Sequence, residues 1–188
     1  MFIEEFPRAV SSDFCERIVA LFERDPCLAP SVVKIGGEDK IKKIRSGTQL
    51  SLKTGQAWQE VYLSLAPALQ ATMKAYVAKY PGLAVLASMC ELECSMPVIE
   101  RVMPGQGFDW HVDQTDTARD RVVAGLLYLR TVAAGGKTEF AHQSTAVVPE
   151  AGKIVLFPPF WTHYHRGASP EADTKYVLSF FWNYRRAA

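Results

Sequence analysis

The sequence predicts a mainly β protein, an antiparallel sandwich or jelly roll, with N-terminal helices that buttress one of its sheets. Residues 1–80 show mostly helical periodicity, whereas the chain after Pro81-Gly82 consists of short β-like runs broken by glycine, proline and polar turns. A length of 188 residues with 48% hydrophobic content is enough for one core. We therefore expect a single domain, 1–188, with helical support in 1–80 and the jelly roll in 81–188.

Two helices are predicted in the N-terminal part. Ser11, Ser12 and Asp13 precede apolar residues at helical spacing, which predicts a capped helix that ends near Asp25-Pro26. A second helix is predicted from about Gly55 to Lys79, where Pro67 marks either a kink or a junction between two helices. Between them, the charged segment 31–43 with its Gly-Gly pair predicts a loop between short extended pieces.

The β-like runs of the second half are short and separated by turn residues, which is typical of an antiparallel jelly roll. The predicted strands are Val98 to Met103, Val122 to Leu129, Ala146 to Val148, Lys153 to Phe157, and Tyr176 to Tyr184.

Composition argues against several classes of partner. The 21 basic and 20 acidic side chains leave a net charge of +1, so no global field favours nucleic acid or an anionic membrane. No run approaches the ~20 apolar residues of a membrane span, and the opening Met-Phe-Ile-Glu-Glu is unlike a secretory signal. Four cysteines without paired spacing predict free thiols. A cytoplasmic protein is expected.

His111 and Asp113 are the first chemically informative pair. In an extended segment, residues two apart point to the same side, so both side chains would converge on one metal. A distant segment offers a third ligand, His163 or His165, and their spacing alone cannot decide between the two. Two imidazoles and one carboxylate on one face of a ferrous ion leave three adjacent positions free for a 2-oxo acid and dioxygen.

Lys175 favours His165 as the third ligand. It lies ten residues after His165, at the start of an apolar strand where a lone cation requires an anion. The far carboxylate of a chelated 2-oxoglutarate would supply that anion through a charge-assisted contact. Ser179, four residues later on the same strand face, would add a hydroxyl.

Several short motifs occur in a characteristic order between Ile99 and Tyr184. They are Pro104-Gly105-Gln106-Gly107-Phe108, His111-Val112-Asp113, Leu127-Tyr128-Leu129, Gly135-Gly136-Lys137-Thr138-Glu139-Phe140, Pro149-x-x-Gly152, Leu156-Phe157-Pro158, His165-Arg166-Gly167 and Thr174-Lys175-Tyr176. In this order and spacing, about half of the chain resembles the prolyl 4-hydroxylase-like branch of the Fe(II)/2-oxoglutarate-dependent dioxygenases.

The resemblance implies a double-stranded β-helix and a hydroxylase. It implies His111, Asp113 and His165 as iron ligands, Lys175 as the 2-oxoglutarate clamp, and a Tyr128 phenol near the same carboxylate. Fe(II), 2-oxoglutarate and dioxygen would be used, with ascorbate as a reductant, and succinate and carbon dioxide released. Peptidyl or free proline is the acceptor that the resemblance implies by default. Another amino acid or a small metabolite is the alternative. A catalytically silent jelly-roll binding module is the rival from another class.

Four side chains near the motifs are candidate substrate contacts: Trp110, His163, Arg166 and Trp182. Three of them have a structural alternative, namely packing for Trp110, a satisfied structural role for His163 and pairing with an acid for Arg166. The tryptophan that the resemblance implies six residues after the lysine stands one place late, as Trp182, with Phe181 in its position. Loop residues over the mouth of the site are expected just after the ligand pair, at Gln114, Asp116 and Arg121.

Overall fold

A computed structural model describes most of the chain. The described residues are 1–31, 34–35, 42–43, 45–53, 55–115 and 117–185. Two-residue strands at Lys34–Ile35 and Lys42–Lys43 pair with each other, so the expected short extended pieces are present, whereas the Gly-Gly pair between them lies outside the described residues.

Both helices predicted in the N-terminal part are present. Helix α1 spans Ser12–Glu23, and its N-cap Ser11 accepts a hydrogen bond from the backbone N–H of Phe14. Helix α2 spans Gln56–Lys79 and continues through Pro67, so the proline does not divide it into two helices.

A third helix, α3, occupies Pro81–Met89, where the sequence suggested the start of the β region. Its first residue is Pro81, and proline is well suited to this position because the first turn of a helix does not use the missing N–H. The Pro-Gly pair therefore begins a helix, and the expected change to strands at residue 81 is wrong by about ten residues.

The strands are mostly short and pair in antiparallel fashion throughout. They are β1 Glu4–Phe6, β2 Ala29–Pro30, β3 Lys34–Ile35, β4 Lys42–Lys43, β5 Thr48–Ser51, β6 Leu92–Cys94, β7 Val98–Val102, β8 Phe108–His111, β9 Arg121–Tyr128, β10 Thr138–Phe140, β11 Thr145–Val147, β12 Ile154–Phe157, β13 His165–Gly167 and β14 Lys175–Tyr184. All five predicted strands are confirmed within one residue at each end.

Two sheets face each other, as the predicted double-stranded β-helix requires. The major sheet has the order β1-β12-β9-β14-β7-β5-β2, with β6 also paired to β14, and the minor sheet has the order β11-β10-β13-β8. The N-terminal part contributes strands as well as helices, because β1, β2 and β5 all join the major sheet.

Apolar side chains form two cores on opposite faces of the major sheet. The larger core joins α1 and α2 to the sheet through residues such as Phe22, Leu65 and Leu178, all fully buried. The smaller core lies on the inner side of the barrel and includes Phe140 and Phe157. The helices thus buttress the outer face of one sheet, as predicted. Among the described residues, no helix combines the length and apolar character needed to cross a membrane.

Candidate iron and 2-oxoglutarate site

A cavity of about 870 Å³ lies between the two sheets. The minor sheet contributes His111 and His165 to its wall, and the major sheet contributes Lys175 and Ser179. The strands of the minor sheet are short, so the loops that follow them complete the cavity wall. Asp113 lies in such a loop, directly after β8. The predicted chemistry is therefore gathered on the wall of one cavity.

His111, Asp113 and His165 offer three ligand atoms that all lie within 4.8 Å of one another. The pairing of β8 with β13 brings this about, because His111 and His165 are direct partners in the register. Each imidazole Nε2 lies 3.6 Å from a different carboxylate oxygen of Asp113. Ligand atoms about 2 Å from one shared ion lie roughly 3 to 4 Å apart, so the three side chains fit a single metal.

Both imidazoles are oriented by backbone carbonyl groups. The Nδ1 of His111 lies 2.8 Å from the carbonyl oxygen of Asp109, and the Nδ1 of His165 lies 2.8 Å from that of His163. A carbonyl oxygen can only accept, so each Nδ1 carries the proton and each Nε2 presents a lone pair. This fixed tautomer is the one that metal-binding histidines use.

Burial and neighbouring charges set the protonation states that a metal requires. Burial lowers the pKa of His165 to about 4, so its imidazole is neutral at pH 7. Burial alone would raise the pKa of Asp113, but His111, His165 and Arg121 outweigh it and hold that pKa below its usual value. A neutral imidazole beside a carboxylate is the donor set of a ferrous 2-His-1-carboxylate site.

Lys175 is a buried cation in the same cavity. Lys175 is 4% exposed, and its ammonium donates a hydrogen bond, of 2.7 Å, to the carbonyl oxygen of Gly136. Gly135 and Gly136 both have positive φ, near 71° and 64°, which residues with a side chain rarely adopt, and this turn presents the carbonyl. Burial lowers the pKa of Lys175 to about 8. An ammonium whose hydrogen-bond partner among the described residues is a neutral carbonyl is suited to bind a carboxylate.

The two other predicted co-substrate contacts differ in position. Ser179 lines the cavity on the same strand face as Lys175, and its hydroxyl is 3.4 Å from the carbonyl oxygen of Val98. Tyr128 is fully buried behind the wall, and its hydroxyl donates a 2.7 Å hydrogen bond to Thr138, which does line the cavity. The Lys175 ammonium lies 5.4 Å from the centre of the Tyr128 ring. Tyr128 therefore reaches the cavity through Thr138.

Of the four candidate substrate contacts, the cavity wall contains only Trp110, which stacks on Tyr164 with ring centres 5.4 Å apart. Arg166 binds Glu139, its direct cross-strand partner, at 2.7 Å and lies over the Trp110 ring. His163 is buried with its ring nitrogens near the Thr162 hydroxyl and the Met1 carbonyl. His163 thus has its partners outside the cavity, whereas Arg166 pairs with an acid outside the cavity and packs on a ring of the cavity wall.

Trp182 faces away from the cavity, which corrects the expectation of a substrate contact. It packs in the larger core on the helix side of the major sheet. Side chains alternate along a strand, and Trp182 is seven residues from Lys175, so the two must face opposite sides. Phe181, in the position where the resemblance implied a tryptophan, lines the cavity instead.

Three charged residues that line the cavity were not predicted from the sequence to do so. Arg45 and Glu100 form a buried ion pair on the wall, with the Arg45 Nε 2.8 Å from a Glu100 oxygen. Arg121, expected only as a loop residue over the mouth, begins β9 and lines the cavity. The alternation of β7 could have flagged Glu100, which shares a face with Val98 and Val102. Nothing local marks Arg45, which reaches the site through tertiary structure.

The two other expected mouth residues contribute less. The side-chain amide of Gln114 donates to the backbone carbonyl of Arg119 at 3.1 Å, which stabilises the loop itself. Asp116 lies outside the described residues.

The fold is shared with solved prolyl hydroxylases. A viral collagen prolyl hydroxylase from Paramecium bursaria Chlorella virus-1, solved with 2-oxoglutarate, aligns with a TM-score of 0.68 at 16% identity over 97% of this chain and 96% of its own. A Pseudomonas putida prolyl-4-hydroxylase aligns with a TM-score of 0.64 at 20% identity, over 98% and 94%. A Trichoplax adhaerens prolyl hydroxylase, in complex with a hypoxia inducible factor peptide fragment, aligns with 0.70 at 13%, over 97% and 83%.

Sequence comparison adds the family. No curated protein matches the chain in sequence. The pattern of the 2OG-Fe(II) oxygenase superfamily matches residues 98–183, a region that contains His111, Asp113, His165 and Lys175. Residues 98–183 therefore form a 2OG-Fe(II) oxygenase region, which identifies the protein as an iron(II)- and 2-oxoglutarate-dependent oxygenase. Its fold is that of the solved prolyl hydroxylases.

Proposed function

We propose that this oxygenase hydroxylates a C–H bond of an amino-acid-type acceptor and that His111, Asp113 and His165 bind its iron. The convergence of these three ligand atoms within 4.8 Å, in the cavity that also contains a buried lysine, is the observation that carries the proposal. Their ligand chemistry and fixed tautomers suit a ferrous ion with three adjacent positions free.

Lys175 and Ser179 hold the co-substrate in this proposal. The Lys175 ammonium binds the far carboxylate of 2-oxoglutarate, Ser179 donates its hydroxyl, and Tyr128 orients the Thr138 hydroxyl beside them. Together, bound iron, 2-oxoglutarate and dioxygen replace a C–H bond of the acceptor with C–OH, while 2-oxoglutarate becomes succinate and carbon dioxide. Apolar side chains such as Val177 and Phe181 exclude water around these groups.

Peptidyl or free proline is the default acceptor, on the analogy of the fold with prolyl hydroxylases. Another amino acid or a small metabolite is the alternative. We propose that residues 1–188 act as one domain in the cytoplasm, without nucleic-acid or membrane partners. The four cysteines, all free thiols, agree with a reducing compartment.

The iron site can be tested by anaerobic titration of Fe(II) and 2-oxoglutarate. We expect a metal-to-ligand charge-transfer band in the visible that disappears in His165→Ala, because the iron loses one of its three protein ligands. His163→Ala is the matched control, a buried histidine two residues away, and should retain the band. If His163→Ala removes the band and His165→Ala retains it, the ligand assignment is wrong. Circular dichroism establishes that both variants fold.

Turnover is tested by release of succinate. Wild-type protein with Fe(II), 2-oxoglutarate, dioxygen and ascorbate is assayed against proline-containing peptides, free amino acids and small metabolites. We expect at least one acceptor to accelerate succinate release and to gain 16 mass units, the mass of one oxygen atom. A band without any product from any acceptor would favour the silent binding module.

A further inference from the structure

Among the described residues, cations outnumber carboxylates on the cavity wall. Five charged side chains from this part of the chain line the cavity: Arg45, Glu100, Asp113, Arg121 and Lys175. Three are cations and two are carboxylates, so the wall carries one excess positive charge. Ferrous iron adds two positive charges, and the 2-oxoglutarate dianion adds two negative ones. The complete cofactor set therefore leaves one positive charge without a counter-ion, in a site where an unpaired charge is costly.

Arg121 carries the unmatched charge. Its guanidinium lies 3.5 Å from the centre of the Phe181 ring and donates a 2.6 Å hydrogen bond to the backbone carbonyl of Asp113. Among the described residues, no carboxylate forms an ion pair with it within 4 Å, in contrast to the pair of Arg45 with Glu100. Neutral groups thus hold Arg121 in place. The carboxylate whose charge acts on it is that of Asp113, a proposed iron ligand.

Arg45 extends the positive region beside Arg121. It lies over the Phe108 ring at 4.8 Å. Burial lowers the pKa of Arg45 to about 10, a shift that the nearby Asp113 carboxylate opposes and the Arg121 guanidinium adds to. Glu100 holds it through two contacts to one fork of the guanidinium. A guanidinium has five N–H donors, so this pair fixes Arg45 and leaves donors available.

We infer that Arg121, with the Arg45–Glu100 pair beside it, binds a free carboxylate of the acceptor next to the iron. The acceptor is then a free amino acid or another small carboxylic acid, and not an internal residue of a polypeptide. A fixed guanidinium binds a carboxylate in a bidentate manner, which fixes the direction of the acceptor as well as its charge. This inference rests on the proposed hydroxylase function and narrows its acceptor class.

The test compares carboxylates with matched carboxamides. The probes are the twenty L-amino acids, a set of small carboxylic acids, their primary amides, and proline peptides capped at both ends, each assayed for succinate release with Fe(II) and 2-oxoglutarate. We expect at least one free acid to be an acceptor and its amide to be weaker by roughly 10- to 100-fold in kcat/KM, the usual cost of losing a charge-assisted hydrogen bond.

Variants assign that preference to Arg121. Arg121→Gln should lower kcat/KM for the free acid by the same factor, leave the amide nearly unchanged, and leave the 2-oxoglutarate dissociation constant unchanged. Arg121→Lys should recover part of the preference, because it restores the charge without the fork. Arg130→Gln is the control. Arg130 also lies over an aromatic ring, that of Tyr176, but unlike Arg121 it pairs with an acid, Glu16, and it lies outside the cavity.

Three results would overturn the inference. One is use of amides or capped peptides as efficiently as free acids, another is the absence of any free acid among the acceptors, and the third is weaker 2-oxoglutarate binding in Arg121→Gln. If the wild-type enzyme forms the charge-transfer band but hydroxylates only capped peptides, this inference is wrong and the proposed function still holds. Failure to form the band at all contradicts the proposed function itself.

Discussion

The two faces of β14 meet opposite surroundings, although they belong to one ten-residue strand. Tyr176, Leu178, Phe180 and Trp182 point to the helix side and are buried in the larger core. Lys175, Val177, Ser179 and Phe181 point to the cavity. The strand therefore separates residues that stabilise the fold from residues that serve the site.

The difference between the faces is energetic as well as chemical. Leu178 is fully buried among apolar neighbours and contributes to the hydrophobic stabilisation of the fold. Lys175 is buried almost as deeply, and its lowered pKa shows that the folded protein disfavours its charge. The cavity face thus retains a cation that opposes stability until an anion binds.

The largest effect should come from the helix-side face. Leu178→Ala should lower the free energy of unfolding by about 2–5 kcal/mol, because it leaves a cavity in a packed core. Urea denaturation measures this change. At a temperature where the variant remains folded, the 2-oxoglutarate dissociation constant should equal that of the wild type. A weakened affinity with no loss of stability would mean that the two faces are not separate in function.

Lys175→Met should have the opposite signature. Loss of the ammonium should raise the 2-oxoglutarate dissociation constant by roughly 10- to 100-fold. The unfolding free energy of the ligand-free protein should rise by about 1–3 kcal/mol, because a buried cation is replaced by an apolar side chain of similar volume.

Lys153→Met provides the matched control for this second change. Lys153 is also buried, but Glu5 and Glu150 both bind its ammonium, at 2.8 and 2.9 Å. Its substitution should lower the unfolding free energy by about 1 kcal/mol and leave 2-oxoglutarate affinity unchanged. If Lys175→Met lowers the unfolding free energy as Lys153→Met does, the buried Lys175 ammonium does not destabilise the ligand-free protein.

The sequence predicted those features that depend on local periodicity and spacing. Helices α1 and α2, the five strands, and the convergence of His111 with His165 all follow from patterns within single segments or from motif order. Ser179 was placed on the Lys175 face by counting residues along a strand. Counting along the strand in the same way places Trp182 on the opposite face, in the larger core. Its position relative to the motif suggested a substrate contact instead.

The features that the sequence did not predict depend on tertiary structure. Arg45 reaches the cavity from a segment ahead of β5, through an isolated bridge to Phe108, and no local pattern encodes that contact. Helix α3 was missed because a Pro-Gly pair is compatible with both a turn and a helix start. The positions of cations in a cavity depend on which strands pair across the sheets. Pairing between segments far apart in the sequence therefore determines them.

The pH dependence of 2-oxoglutarate binding should distinguish the cavity face further. The pKa of Lys175 is about 8 in the ligand-free protein, and only the protonated amine attracts a carboxylate. Affinity should therefore be nearly constant below pH 7 and fall as pH rises through 8, by about tenfold between pH 7 and pH 9. Lys175→Arg, whose charge persists across this range, should bind with little change in affinity between these pH values. A wild-type affinity that is equally constant would mean that Lys175 does not hold the carboxylate.

The smallest effect should come from Trp182. Its Nε1 is buried without a hydrogen-bond partner among the described residues. Trp182→Phe loses apolar contact but also removes that unsatisfied N–H, so the two effects offset each other and the unfolding free energy should change by less than about 1 kcal/mol. Kinetic constants should match the wild type, because the side chain does not reach the cavity.

The neighbouring residue sharpens this last comparison. Phe181 supports Arg121 from the cavity face, so Phe181→Leu should change kcat/KM for the acceptor several-fold while altering stability by a similarly small amount. Thermal melts and succinate release on the two variants measure both quantities. If Trp182→Phe altered acceptor kinetics and Phe181→Leu did not, the alternation of β14 would fail as the basis for separating the site from the core.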